Sequence, residues 1–311
     1  MASRQSFPSS SALGSWIAEI RLHADRPYGN SRVRKVHAIG PLQIQKILYP
    51  EGPSIAHVFI LHPPSGIAQD DQLRIEITAD QSSHSVYATP GATRWYKALP
   101  TARQPASQHV VLRLCNQSAV EWLPYENLYF DQAWAQNSLE IRLESGCRLL
   151  GWDLHQFGRA SCGEAWRNGR ARTTLTLWVN NELLWTELSD WEADRVGQLR
   201  DHHQLAGYGI SGSLWAYGPK LQDAEYETLA SSLPAEGPCM AGLSQIVLPV
   251  SPTNSHLGSV IGEPTGPEAL IIMRLLSNDP EQARLLCEKT RTFLRPFMMN
   301  AVAEDLRIWA T

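Results

Sequence analysis

The sequence predicts an all-β protein, mainly β with many short strands in stacked and packed sheets, carrying one or two helices that include a C-terminal one near residues 279–295. Three observations carry this. Strand-sized segments, apolar or alternating, recur roughly every ten residues over long stretches. Stiff corners built from proline and glycine separate them, as at His62-Pro63-Pro64-Ser65-Gly66 and Thr89-Pro90-Gly91. The third observation is that one segment alone carries a full helix signature. There Asp279 serves as N-cap, Pro280 as first helical residue and Gln282 as the third position of a capping box.

In chain order, Trp16, Ala18, Ile20, Leu22 and Ala24 alternate with polar residues and predict a half-buried strand. A turn cluster, Asp25 to Asn30, leads to a basic strand from Ser31 to Val36, and Gly40-Pro41 separates it from LQIQKILYP. The run Ile55 to Leu61 is nearly continuously apolar and rich in β-branched residues, as in a strand covered on both faces. After Asp70-Asp71 the pattern becomes clean alternation, with Leu73, Ile75, Ile77 and Ala79 on one side. Lys97 to Gln108 reads as a mobile surface loop. Strands follow at His109 to Cys115, at Ser138 to Glu144, and in the run Cys147 to Phe157, which Asp153 and His155 interrupt. Thr173 to Leu188 reads as a hairpin, because Asn180-Asn181 tolerates the positive φ of a type I′ turn. Glu187 to His203 looks loosely helical, Tyr208 to Gly218 like strand plus bend, and Tyr226 to Pro238 opens on a helical turn. In the C-terminal helix Ala283, Leu286, Phe293, Leu294 and Phe297 form the apolar face, with Arg291 and Arg295 off it and Pro296 ending or kinking it. Residues 1–14 read as a flexible tail and residues 15–311 as one domain.

With 311 residues, 43% hydrophobic and 19% charged, the chain has the composition of a globular protein with a sizeable core. A net charge of −4 gives no basic footprint for nucleic acid or anionic membrane. Five widely spaced cysteines with no CxxC pair favour buried free thiols in a reducing compartment, and MASRQSFPSSSALG lacks the apolar run of a secretory signal. The expected location is therefore the cytoplasm.

No GxSxG, HExxH, P-loop or GxGxxG motif occurs. His202-His203 reads as a solvated pair, and His62 as a strand-end residue before it reads as a metal ligand. Asp70, Asp71 and Glu164 sit in glycine-bordered corners where carboxylates cap turns or line a polar cavity, with Arg159 placed to pair with one of them. Eleven tryptophans invite a sugar-binding reading, yet Trp16, Trp122, Trp152, Trp178 and Trp185 fall within strand patterns that predict core packing.

Several blocks in this order resemble the UreD family, also called UreH, of urease accessory proteins. They are GPLQIQKILYPEG (Gly40 to Gly52), HVFILHPPSGIAQDDQLRIEI (His57 to Ile77), TPGATRWY (Thr89 to Tyr96), VEWLPYENLYF (Val120 to Phe130), LGWDLHQFGRASCGEAW (Leu150 to Trp166) and the terminal RIWAT. The family's glycine-rich corner is altered here to Ser65 to Asp71, where Gly66 and Asp71 keep the expected type, and Tyr125 stands where glutamine is common. The resemblance implies a mainly β protein with no reaction of its own. It further implies a scaffold that binds a UreF-type partner and, through it, a UreG-type GTPase, docks on apo-urease, and passes nickel in transit along a water-filled passage without a tightly bound cofactor. Within the matched blocks Asp71, Glu126 and Glu164 are the acids expected along such a passage, because weak oxygen ligands release an ion that a tight site would keep. The loop Lys97 to Gln108 and the helix from Asp279 are the expected contacts for the UreF-type partner. The competing class is a β-sandwich hydrolase or carbohydrate-binding module, which would show exposed tryptophans beside two facing carboxylates.

Overall fold

A computed structural model of the chain describes residues 16–193, 205–249 and 266–304. The chain enters through β1 (Ile17–Asp25), turns back as β2 (Arg32–Ile39) and, after the short β3 (Gln43–Ile44), winds into a three-sided coil. Each turn contributes one strand to each side. The first turn is β4 (Ile55–Leu61), β5 (Gly66–Ile67) and β6 (Gln72–Ala79); the second is β7 (His84–Ala88), β8 (Thr93–Trp95) and β9 (Ala106–Leu114); the third is β10 (Ala119–Leu123), β11 (Asn127–Tyr129) and β12 (Trp134–Leu143). The strands β13 (Arg148–Phe157) and β14 (Arg170–Val179) extend two of the walls, and β15 (Glu182–Glu192) returns along β14. The chain finishes with β16 (Ile210–Pro219), α1 (Asp223–Ser232), β17 (Cys239–Val247), β18 (Glu268–Ser277) and α2 (Pro280–Met299).

Successive turns stack in parallel. β6, β9, β12 and β14 form one wall, extended by β1, and β4, β7, β10 and β13 form the second. β5, β8 and β11 form the narrow third side, which the end of β13 joins. Antiparallel strands close both large walls: β2 and β15 flank the first, while β16, β18 and β17 continue the second.

The two walls differ in pattern because they differ in what covers them. The first packs only inward, so Leu73, Ile75, Ile77 and Ala79 of β6 are buried while their neighbours meet solvent. The second packs on both faces. Its inner face adds Val58, Val120, Leu149 and Trp215 to the coil interior, and its outer face packs Phe59, Val86, Leu123 and Trp152 against Leu229 of α1 and Cys287, Leu294 and Met298 of α2. That double cover explains why β4 is apolar at every position but His57.

The mainly β class and the C-terminal helix match the expectation, and Asn180 and Asn181 turn the β14–β15 hairpin at φ 50 and 66. Several local readings are corrected. The helical reading of Glu187 onward fails as far as Glu192, which completes β15 because its outward residues pair along β14; beyond residue 193 it falls outside the described residues, as do residues 1–14, His202-His203 and RIWAT. α1 starts at Asp223, earlier than expected, because Gln222 supplies a capping box with Glu225 from outside the usual set of N-cap residues. α2 runs through Pro296 to Met299 and stops at Asn300, which adopts the left-handed conformation at φ 51. Burial of Leu294, Arg295, Met298 and Met299 on either side of the proline outweighs its one missing hydrogen bond. Arg291 and Arg295 lie on the buried face of α2, and Phe297 is exposed. The loop after Lys97 is pinned, because Asp70 Oδ1 accepts the Arg103 and Gln104 amides at 3.0 and 2.9 Å and Gln69 Oε1 accepts the Leu99 amide at 2.7 Å. Trp122 and Trp152 are core residues as expected. Trp16 is exposed, however, and Trp178 and Trp185 are half-buried beneath Arg142 and Arg274. All five cysteines are free; Cys147, Cys239 and Cys287 are buried, Cys115 is half-buried, and Cys162 is exposed.

Candidate functional site: a polar seam inside the coil

Parallel stacking places residues of equal register in rows along the coil axis. One inward-facing row on the first wall reads Leu73, Gln108, Asn137, Thr173 and Ser189. A second, on the third side and its continuation, reads Thr93, Asn127, His155 and Ser211. Asp153 joins the two rows. Its Oδ1 accepts the Asn127 amide at 2.7 Å and its Oδ2 accepts the Asn137 amide at 3.2 Å, with His155 Nε2 at 3.5 Å from Oδ2. Asn137 Oδ1 in turn accepts from Gln108 at 3.2 Å, and Asn127 Oδ1 accepts from Trp95 at 3.1 Å. Tyr129 Oη lies 3.2 Å from His155 Nδ1. Burial pushes the Asp153 carboxyl above the ordinary range, and His155 and the two amides pull it back only in part.

This seam ends in a cavity at each side. One, of about 550 Å³, is lined by Asp153, His155, Thr173, Ser189, Ser213 and Glu187, among others. Glu187 is held there by Ser213 at 3.0 Å and Trp185 at 3.0 Å, with Arg274 at 3.4 Å. The other, of about 410 Å³, is lined by His62, Ser65, Thr89, Thr93, Arg94 and Gln108, among others. Its His62 is half-buried and burial alone depresses its pKa. Gln108 borders one cavity, Asp153 the other, and Asn137 bridges them. Among the described residues no three His, Cys, Asp or Glu side chains converge to hold a metal ion. The seam therefore offers single carboxylate, imidazole, hydroxyl and amide groups in file.

The acids singled out in the sequence lie elsewhere and are not brought together. Asp71 caps the corner before β6, its oxygens accepting the Trp16 amide at 3.1 Å and the Ala68 amide at 3.0 Å. Glu126 sits in the corner between β10 and β11, raised by burial and near the charge of Arg284. Glu164 pairs with Arg159, as expected for that corner, and accepts the Asp131 amide at 2.8 Å. None of the three lines either cavity. The seam residues did leave a trace in the sequence. Asp153 and His155 break an apolar run, and Asn137 occupies an inward position of a strand whose other inward residues, Ala135, Leu139, Ile141 and Leu143, are apolar.

On the opposite face of the second wall a buried ionic clasp holds α2. Glu121 accepts from Arg291 Nε at 2.8 Å, Arg295 Nε at 2.9 Å and His84 Nε2 at 2.8 Å. Arg295 also grips both oxygens of Glu51, at 2.6 and 2.8 Å, and Glu51 meets His57 at 2.7 Å. The same arginines hold the segment that follows the helix, Arg291 through the Glu304 carbonyl at 3.0 Å and Arg295 through the Val302 carbonyl. Burial acts to raise Glu121, but Arg291, His84 and Arg295 together hold it well below the usual carboxylate range.

Comparison with known proteins decides the family. The UreD urease accessory protein model matches residues 17–310. The chain belongs to the UreD family. It is 35% identical over 304 residues to the urease accessory protein UreD of Ralstonia nicotianae, covering 98% of this chain and 97% of that one. It is 35% identical over 307 residues to UreD of Bordetella pertussis, covering 97% and 100%, and 36% identical over 283 residues to UreD of Delftia acidovorans, covering 88% and 87%. As a UreD-family protein it is an accessory factor and not a catalyst, which removes the hydrolase reading. No helix among the described residues is long and apolar enough to cross a membrane.

Proposed function

We propose that this UreD-family chain serves urease maturation in the cytoplasm as a scaffold that docks on apo-urease and lets nickel pass along the polar seam between its walls. The observation that carries the reading is the continuity of Gln108, Asn137, Asp153 and His155 from one cavity to the other. A cation moving along it meets no cluster of three His, Cys, Asp or Glu side chains among the described residues, which suits transfer over retention. Asp71, Glu126 and Glu164 enter this reading as acids at the corners of the coil, outside the seam. A UreF-type partner, bringing a UreG-type GTPase, is assigned to the outer side of α2, where Leu285, Phe297 and Val302 are exposed, and to the pinned loop after Lys97. The test is nickel content and activity of urease co-expressed with Asp153→Ala, His155→Ala, and alanine variants of the three corner acids. The reading expects the larger loss at Asp153 and His155 with the partner complex intact; full activation by both seam variants contradicts it.

A further inference from the structure

The outer edge of the first wall is unlike the rest of the surface. β2 pairs only with β1, so the backbone groups on its far side have no strand partner among the described residues. Seven of its eight residues are exposed. Residues 26–50 contain five Lys or Arg and no Asp or Glu, in a chain whose net charge is −4. Asp25 answers two of these charges, pairing with Arg32 at 2.8 Å and Arg34 at 2.9 Å. Lys35 and Lys46 meet no carboxylate among the described residues. Apolar side chains share this edge: Val36 is 66% exposed and Ile39 49%, with Trp16 and Ile17 exposed at the start of β1. Gly40 passes so close to β1 that a Cβ there would lie 2.7 Å from the Ile17 carbonyl, which keeps Ile39 and Ile17 at one end of the edge.

Charges and a bulge ordinarily guard an edge strand against indiscriminate pairing, and β2 has both, the bulge lying opposite Arg21 and Leu22. A guarded edge has no use for exposed valine and isoleucine between the charges. Basic and apolar groups interleaved on an open edge instead match a strand that is acidic and apolar in turn. We propose that β2 is a docking edge for an extended acidic segment of a partner protein, which adds a strand to the first wall. The added strand hydrogen-bonds to the free side of β2, and its carboxylates meet Lys35 while its apolar residues cover Val36 and Ile39. This edge is independent of the seam, so failure of either proposal leaves the other standing.

The experiment uses the full chain and a fluorescently labelled peptide of alternating glutamate and valine as long as β2. Fluorescence anisotropy measures binding, and hydrogen exchange read by mass spectrometry reports on the segment around residues 32–39. The expected results are saturable binding with slowed exchange in that segment, and binding roughly tenfold weaker when Lys35→Glu is introduced or when the peptide is N-methylated to remove its backbone donors. Circular dichroism verifies that the variant is folded, and Val36→Asp supplies a second variant at the same edge. Equal binding of the N-methylated peptide, protection elsewhere, or no binding by the folded wild type overturns the proposal. So does tighter binding of a single-stranded oligonucleotide or anionic vesicles that leaves exchange in β2 unchanged.

Discussion

Arg295 donates to Glu121 at 2.9 Å across 174 residues of sequence, and with its other nitrogens holds both oxygens of Glu51. One guanidinium thus ties the C-terminal helix to β10 and to the turn that precedes β4. Glu121 and Glu51 face Arg291, Arg295 and two histidines, so each buried carboxylate has an arginine as counterion.

Removing one member leaves buried charge without a counterion. Arg295→Ala is expected to destabilise the protein by about 3–5 kcal/mol, read by chemical denaturation, with the loss of Glu51 and Glu121 partners as its cause. A loss within the range of an ordinary surface substitution would show that the clasp contributes little.

The clasp also makes stability depend on pH. Glu121 and Glu51 are depressed in the folded state, so the stability they lend is complete above the unfolded carboxylate value of about 4.3 and is lost as pH falls through their folded values. Asp153 and Glu126 run the opposite way: burial raises them, and the stability they lend at low pH fades as pH rises through those raised values. Glu121→Gln is therefore expected to be less stable at neutral pH yet to lose less on acidification. Parallel urea titrations at neutral pH and about pH 4 measure the difference.

At the Arg159–Glu164 corner the chain needs a residue without a side chain. Gly158 has φ +79, and a Cβ there would lie 2.7 Å from the Glu164 carbonyl and 2.8 Å from the Trp166 amide. Gly158→Ala is expected to cost about 1–3 kcal/mol in thermal or chemical unfolding. Gly163→Ala, at φ +71 but with open space around it, is expected to cost less.

Asp70 pins the loop after Lys97, so Asp70→Ala is expected to speed amide exchange at Arg103 and Gln104 by about tenfold or more while leaving the β6–β9 pairing protected. Unchanged exchange at those amides would show that other contacts hold the loop.

Much of the fold was legible because local chemistry decides it. Alternation marked β6, the asparagine pair marked the hairpin, and Asp279 with Pro280 marked the start of α2. The parallel coil was not legible, since its first-wall strands begin at Gln72, Ala106, Trp134 and Arg170, at unequal intervals and with unlike corners. Arg291 and Arg295 read as lying off the apolar face because a buried arginine requires a partner acid, and Glu121 and Glu51 lie far away in sequence. The candidate site was legible only as one exception, a carboxylate and an imidazole in an apolar run; Asn137 lies just before the strand that the sequence marks at Ser138 to Glu144. Their meaning comes from stacking, which sets Gln108, Asn137 and Asp153 side by side.

The most direct measurement is the nickel content of urease matured with Asn137→Leu, which replaces the amide bridging Gln108 and Asp153 by an apolar side chain of similar size. Nickel delivery along the seam predicts a fall of about tenfold or more in metallated urease while the protein still co-purifies with its maturation partners. Urease fully loaded with nickel by a folded Asn137→Leu protein would place the ion's route outside the coil.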